Sequence, residues 1–539
     1  MADSLLIKNG LLLDGTGAPG KTGDLRIEQG LITDVGGTLE PRSGEEIVDA
    51  SGAVVAPGMI DSHSHSDLDL LKHPRQDFDL CQGVTTQIVG LCGLGYIPLS
   101  GDKLDENMRY SAGLFGYDRE LASSDIFSSF PAYMDAVKGA GTNVCVSATH
   151  NAARIAANGF SSTIPDRIEY FRRMQKILAD AVEAGCIGMS TGLSYYPCAY
   201  ADYDELVFLA DTLKELDAAM LSHIRYPRQG EPDSAIEEFL RIGTETGARI
   251  HILHYRTKYP YDAGQPQRLL SMVRSANENG ADITLESMPY LSGSTFIHAI
   301  LPGWAVDGGY EAALASLRDP EKRRRIKEEM QYLKSITCMG NGKPPRFGHV
   351  GNHPEYSGAF IRDVQEKRGQ DLDEMLLDLM LESSLDINYV GNEAENDPEI
   401  DRILMDDTLT LLQDPLYLCG GDAMPYGEYQ HPRTFGCYAR MLRFSREKKI
   451  PLEKVIKKLT LEPAERFHLN SVGKLETGRR GDVIIFDPDT VSDRATFDDP
   501  FQTAQGFRYT IVGGSVAVKD DVPTGVLNGS VIKMNEGRS

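Results

Sequence analysis

The rhythm of hydrophobic and polar positions changes twice along the chain. From 3 to 56 the apolar runs are short and bounded by Gly or Asp: LLIKNGLLLDG with a turn at Asn9-Gly10, then DLRIEQGLITDVGG, then IVDASGAVVAPG. Runs of this kind predict the strands of a small sheet. After Pro57-Gly58, short apolar runs alternate with longer amphipathic stretches, the signature of βα units. The predicted strands are MIDSHSH (59–65), TTQIVGLC (85–92), TNVCVSA (142–148), CIGMST (186–191), AAMLSHI (218–224), RIHILH (249–254), ADITLES (281–287) and PLYLCGGD (415–422). Helices are expected between them at 165–184, 203–217, 232–247 and 265–279. Eight such strands close a (β/α)8 TIM-like barrel, whose catalytic groups gather at the C-terminal strand ends.

The spacing between the last two strands exceeds one crossover. Residues 291–410 contain a charged helical stretch (EAALASLRDPEKRRRIKEEMQYLKS), a Gly/Pro/His-rich segment (GNGKPPRFGHVGNHPEYSG) and helices around 371–383 and 398–412. This is read as an insertion over the barrel mouth, an active-site cover. After a helix at 453–468 the beta-like texture returns in GDVIIFDP, RYTIVGGSVAVKD and GVLNG. The expected organisation is a small β-sandwich domain from both chain ends (1–56 and 470–539), a catalytic barrel (57–290 and 411–469) and the 291–410 insertion.

Composition narrows the partners. A formal net charge of -24, from 79 acidic against 55 basic residues, opposes binding to phosphate backbones. No run of about 18 apolar residues offers a membrane span, and the opening MADSLLIKNGLLLDG lacks the basic and long apolar segments of a secretion signal. The eight cysteines (81, 92, 145, 186, 198, 338, 419 and 437) contain no CxxC pair, which fits a reducing compartment. The expectation is a cytoplasmic protein acting on a small molecule, without nucleic acid or membrane, and with self-association into a homo-oligomer left open.

Side chains able to bind a metal stand at the ends of the predicted strands. His63 and His65 are two apart, so in a strand both leave the same face. Cys92, His223, His254 and Asp422 end four further strands, and zinc accepts this mixture of imidazole, thiolate and carboxylate. A lone cysteine is more often a small buried hydrophobe, the reading given to the other seven; Cys92 differs by its place before Gly93. His251, an odd number of residues from His254, is turned by strand alternation to the opposite face and left outside the site. His150, in ATHNAAR, faces the mouth either as a substrate or supporting group or as a merely hydrogen-bonded one. His73, His298, His349, His353 and His468 have no evident reason to converge.

Asp422 ends an apolar strand, where a lone buried carboxylate is costly. Beside a metal it could move protons; without one it would cap the following segment. Arg256 in HYR and Arg433 in HPRTFG put fixed positive charge near the same rim, suited to forking onto a substrate carboxylate. Neither GxxxxGK[ST] nor a strand-linked GxGxxG is present.

With PGMIDSHSHSD, GVTTQIVGLCG, GCIGMSTGLSYYP, LSHIR, MPYLSGST, GGDAMPYGEYQHPRTFG, LTLEPAERFHL and GRRGDVIIFDP in this order, the sequence resembles the amidohydrolase superfamily, and within it the N-acyl-D-amino-acid deacylase (D-aminoacylase) family. The resemblance implies one tightly bound Zn2+ on Cys92, His223 and His254. It also implies a weaker second metal at His63 and His65 that shares Cys92, and Asp422 as general base and acid. Arg433 matches the arginine that holds the substrate carboxylate, Ser294 falls on a substrate contact, and Tyr195 in GLSYYP joins the substrate side. Five positions depart from the family pattern: Leu91 for asparagine, Arg256 for lysine, Met288 for tyrosine, Gly421 for serine and Ala423 for glycine. The expected function is zinc-dependent hydrolysis of an N-acyl-D-amino acid to a D-amino acid and a carboxylate. The departures keep open another C–N substrate: a cyclic amide or imide, or a dipeptide containing a D-amino acid.

Overall fold

A computed structural model describes residues 4–336, 345–392 and 397–536. Cys338 and part of the Gly/Pro/His-rich segment lie outside them. The barrel strands are Met59–Asp61, Val84–Val89, a third divided into Asn143–Val146 and Ala148–Thr149, then Gly188–Gly192, Ala219–His223, Arg249–Ile252, Asp282–Ser287 and Tyr417–Cys419. Each pairs in parallel with the next. A parallel bridge between Ser64 and Ala423 joins the first strand's extension to the last and closes the ring.

Crossover helices form where the apolar period and the caps agree. Arg167–Ala184 begins at Asp166, whose carboxylate accepts the Glu169 N–H, and ends at Gly185 in the left-handed region (φ 105°). Its buried Tyr170, Met174, Leu178 and Ala181 recur one turn apart and pack inward.

Strands from the two chain ends share one antiparallel and parallel sheet: Val483–Phe486 lies beside Val54–Pro57, which lies beside Ser4–Leu12. The last segment returns to the barrel, where Val144 N–H donates to Ser530 O and Ile532 N–H to Val144 O, both at 2.9 Å.

Between the seventh and eighth barrel strands the chain forms an antiparallel sheet in the order Ser294–Phe296, Ile387–Val390, Arg346–Val350. Helices Tyr310–Arg318, Ile361–Arg368 and Leu372–Glu382 accompany it. Its apolar side chains, Phe296, Phe347 and Leu376 among them, are continuous with the barrel core. Helix Pro398–Leu412 differs from the expectation that grouped it with the insertion. It packs on helix Pro266–Glu278 and on the seventh and eighth strands, where a crossover helix of the barrel belongs. No helix among the described residues is long and apolar enough to cross a membrane.

Several strands stop earlier than alternation predicts. The run expected to reach His65 is a strand only to Asp61, and that expected to reach His254 ends at Ile252. Cys92, His254 and Asp422 follow their strands in the left-handed region, at φ 53°, 35° and 47°. Non-glycine residues there carry strain of order 1–3 kcal/mol that the surroundings must offset, and such residues cluster at functional sites.

Candidate metal centre

Past Asp61 the first strand continues as an extended segment in which Ser64 N–H donates to Ile88 O (3.0 Å) and His65 N–H to Ala423 O (2.8 Å). This anchoring turns both rings inward. His63 Nε2 lies 3.3 Å from His65 Nε2, 3.3 Å from Cys92 Sγ and 3.4 Å from Asp422 Oδ1, and His65 Nε2 is also 3.4 Å from Asp422 Oδ1. Cys92 Sγ is 3.4 Å from His254 Nε2. Two mutually close sets result: His63, Cys92 and His254, and His63, His65 and Asp422. His223 adjoins the first through His254, ring nitrogen to ring nitrogen at 2.9 Å, while its Nε2 meets Ser194 Oγ at 3.1 Å. The structure therefore brings together all six metal-competent side chains named from the sequence.

The donor set fits metal ions. Ligands about 2.0–2.3 Å from a tetrahedral zinc stand roughly 3.3–3.8 Å apart, the spacing of the contacts among His63, His65, Cys92, His254 and Asp422, while the His223–His254 pair at 2.9 Å is closer. The electrostatics agree. Burial opposes a charge on His63, yet the fields of Cys92, Glu286 and Asp422 raise its pKa well above the imidazole value, so this cluster attracts positive charge. Burial raises the Cys92 thiol to about 11 despite His63, and burial lowers His254 to about 4. A cation would favour thiolate and neutral imidazole together.

Arg433 opens helix Arg433–Glu447 and is almost wholly enclosed, with 1% of its side chain exposed. Its Nη1 lies 2.8 Å from Asp422 Oδ2 and 3.3 Å from Met288 Sδ, and Nη2 donates to Ser294 Oγ at 3.2 Å. Burial would raise Asp422, but Arg433 and His63 outweigh it and hold this carboxyl well below its usual range. Tyr195 packs its ring 4.8 Å from that of His223 and meets Thr295 Oγ1 at 3.0 Å. Arg256 is partly exposed and donates through Nη2 to Leu291 O.

His150 is not brought to the cluster. Its Nδ1 meets Thr191 Oγ1 at 2.8 Å and its Nε2 Glu205 Oε1 at 2.9 Å, so both ring nitrogens are engaged away from the metal donors. The hydrogen-bonded alternative describes it. His251 is in neither donor set, but the face expected for it changes. It points into the barrel beneath the site, with Nε2 3.2 Å from Glu286 Oε2, because the turn after Ile252 breaks the alternation used to place it relative to His254.

Two carboxylates beneath the metal donors had not been singled out. Glu286 accepts from His63 Nδ1 and from Ser62 Oγ (3.0 Å). Asp61 accepts the backbone N–H groups of His63 and Gly421, each at 2.8 Å, and the Tyr438 hydroxyl at 3.0 Å. The departure at Gly421 finds its reason here: a Cβ at that position would stand 2.3 Å from Asp61 Oδ2. At Gly420 a Cβ would lie 2.8 Å from the Glu286 carboxylate. Glu286 had one legible signal, an acid inside the apolar run ADITLES.

A model of the amidohydrolase family matches residues 46–314 and 395–518. The chain belongs to the amidohydrolase family. Within the amidohydrolases it groups with the D-aminoacylases and N-acyl-D-amino-acid deacylases. It is 29% identical over 525 residues to the N-acyl-D-glutamate deacylase of Alcaligenes xylosoxydans xylosoxydans, covering 96% of this chain and 94% of the relative. To the D-aminoacylase of the same organism it is 29% identical over 545 residues, covering 98% and 97%. The crystal structure of the N-acyl-D-glutamate deacylase of Bordetella bronchiseptica, complexed with zinc and a phosphonate mimic of the tetrahedral intermediate, superposes with a TM-score of 0.78 at 29% identity. That superposition covers 98% of this chain and 99% of the other. As an amidohydrolase, the chain carries the two overlapping donor sets of a binuclear metal centre.

Proposed function

We propose that this protein is a zinc-dependent deacylase that hydrolyses an N-acyl-D-amino acid to a D-amino acid and a carboxylate. The observation that carries the reading is Arg433, a buried guanidinium fork placed within 3.3 Å of Asp422, Met288 and Ser294, next to the metal donors. Cys92, His223 and His254 would hold the tight zinc, and His63 and His65, with Cys92 shared, the weaker metal. When bound, zinc supplies Lewis-acid polarisation of the scissile carbonyl and lowers the pKa of water.

The chain's own residues do the rest. Arg433 holds the substrate carboxylate through paired hydrogen bonds, with Ser294 fixing the plane of its fork. Asp422 takes the proton of the hydrolytic water and returns it to the departing nitrogen. In the free protein Asp422 is ion-paired with Arg433; a substrate carboxylate competing for that fork leaves the Asp422 oxygens to the water. Met288 presents sulfur where the family's tyrosine would present a hydroxyl, so orientation relies more on Arg433 and Ser294. Tyr195, whose ring packs beside His223, borders the same space. A cytoplasmic setting is supported by the seven described cysteines, all free and buried.

Release of amino acid from N-acetylated and N-formylated D-amino acids, with L enantiomers as controls, tests the proposal. Turnover of D substrates bearing a free carboxylate is expected. No release from any of them, with turnover of a cyclic imide or a dipeptide, would replace this reading by the other C–N hydrolysis.

A further inference from the structure

Beneath the metal donors, Glu286 ties three barrel strands together through side chains alone. It sits near the end of the seventh strand, wholly buried, and its two oxygens divide the work. Oε1 accepts from His63 Nδ1. Oε2 accepts from Ser62 Oγ at 3.0 Å and from His251 Nε2 at 3.2 Å. His251 is in turn held by Thr284 Oγ1, 2.8 Å from its Nδ1, and Ser62 Oγ is shared with Cys419 O at 3.1 Å. Gly420 gives the carboxylate its room, since a Cβ there would touch it.

This arrangement determines which nitrogen His63 offers. With Nδ1 bearing the proton given to Glu286, the lone pair is on Nε2, the atom that faces His65, Cys92 and Asp422. A carboxylate behind a ring also makes that lone pair more basic. The described hydrogen-bond partners of the Glu286 carboxylate are a serine and two histidines, of which His63 alone faces the donor cluster, so its negative charge reaches that cluster through one imidazole.

We propose that Glu286 is a positioning residue for metal binding, which holds His63 through its Nδ1–H so that Nε2 faces the other donors, and which Ser62 and His251 hold in place. The proposal rests on the reading of the cluster as a metal centre, and its test is independent of any substrate. Zinc is titrated into the metal-free protein against a chromophoric chelator, for the parent, Glu286→Gln and Glu286→Asp. Gln keeps the shape without the charge; Asp keeps the charge and withdraws it from the ring. Both should weaken the metal held by His63 by about 10–100-fold. The second readout is the proton and nitrogen spectrum of labelled histidine in the metal-free chains. The His63 Nδ1–H proton should show the downfield signal of a hydrogen bond to a carboxylate in the parent and move upfield in both variants. If Glu286→Gln does not fold, Glu286→Asp decides alone. Affinities within about twofold of the parent with an unchanged His63 Nδ1–H signal would overturn the assignment, since supporting carboxylates normally matter far more. A parent that binds no zinc would break the metal-centre reading itself and overturn this role of Glu286 with it.

Discussion

Glu205 and Glu286 are both buried carboxylates that receive a histidine N–H inside the barrel wall, and they differ in what else surrounds them. Glu205, near the start of helix Tyr203–Glu215, accepts from His150 at 2.9 Å, from the Tyr170 hydroxyl at 2.7 Å and from Arg154 at 2.6 Å. Burial pushes its pKa up, but His150 and Arg154 prevail and bring it down to about 2. Arg154 supplies a permanent cation, so the charge of this carboxylate is balanced within the chain. Glu286 instead accepts from Ser62, His63 and His251, and the far side of His63 faces thiol, imidazole and carboxylate donors. A buried carboxylate balanced by the protein's own guanidinium acts as scaffold. One held by a serine and two imidazoles, one of which looks onto further donors, leaves a place for a metal.

Removing the metal should separate the two clusters most widely. Cys92→Ala is expected to lose the tightly held zinc and essentially all turnover while the Glu205 cluster and the fold persist. Metal content per chain and near-ultraviolet dichroism measure this, and stoichiometric zinc in the variant would contradict the ligand assignment. Asp422→Asn should follow, with zinc retained and kcat reduced by about 10²–10⁴, the usual contribution of a positioned acid or base. A variant with parental kcat would mean that another group moves the proton.

On the scaffold side, Glu205→Gln leaves the Arg154 charge buried without its partner, a loss of about 3–5 kcal/mol in unfolding free energy, with zinc stoichiometry unchanged. The same variant should alter the acid limb of stability. Glu205 has a depressed folded pKa, so its contribution is present above the unfolded carboxylate value and is lost as pH falls toward about 2. Unfolding curves of Glu205→Gln should therefore change less over that acid window than those of the parent; equal slopes would show that Glu205 is not a source of the pH dependence. The smallest effect is expected of His150→Gln, which removes one hydrogen bond to a charged group, about 1.5–3 kcal/mol, and leaves metal affinity alone. A fall in zinc affinity there would join the two clusters that the structure keeps apart.

The contrast bears on what could be read in advance. Asp422, Cys92 and the four metal-side histidines were legible because each ends an apolar run, a position that a barrel turns toward one mouth. His251 was misplaced by the same reasoning. Alternation describes a strand only while it remains one, and this strand ends at Ile252, with His254 in the left-handed region. Glu286 and Asp61 escaped because their partners are remote in sequence: Glu286 is 223 residues from His63 and Asp61 is 377 from Tyr438. Helix Pro398–Leu412 was legible as a helix, whereas its place in the barrel wall is settled by packing against strands on either side of the insertion.

By itself the sequence determined the βα rhythm, which metal-competent side chains stand at the strand ends and the presence of basic side chains near the last strand, since these depend on local period and residue chemistry. Only the tertiary structure decided that His223 adjoins His254 and that Arg433 lies against Asp422, Met288 and Ser294. It also decided that His150 belongs with Glu205, while His63 is backed by a carboxylate of the seventh strand. The physical reason is that burying charge and closing a barrel are satisfied among residues hundreds of positions apart, where no local pattern in the chain records the partner.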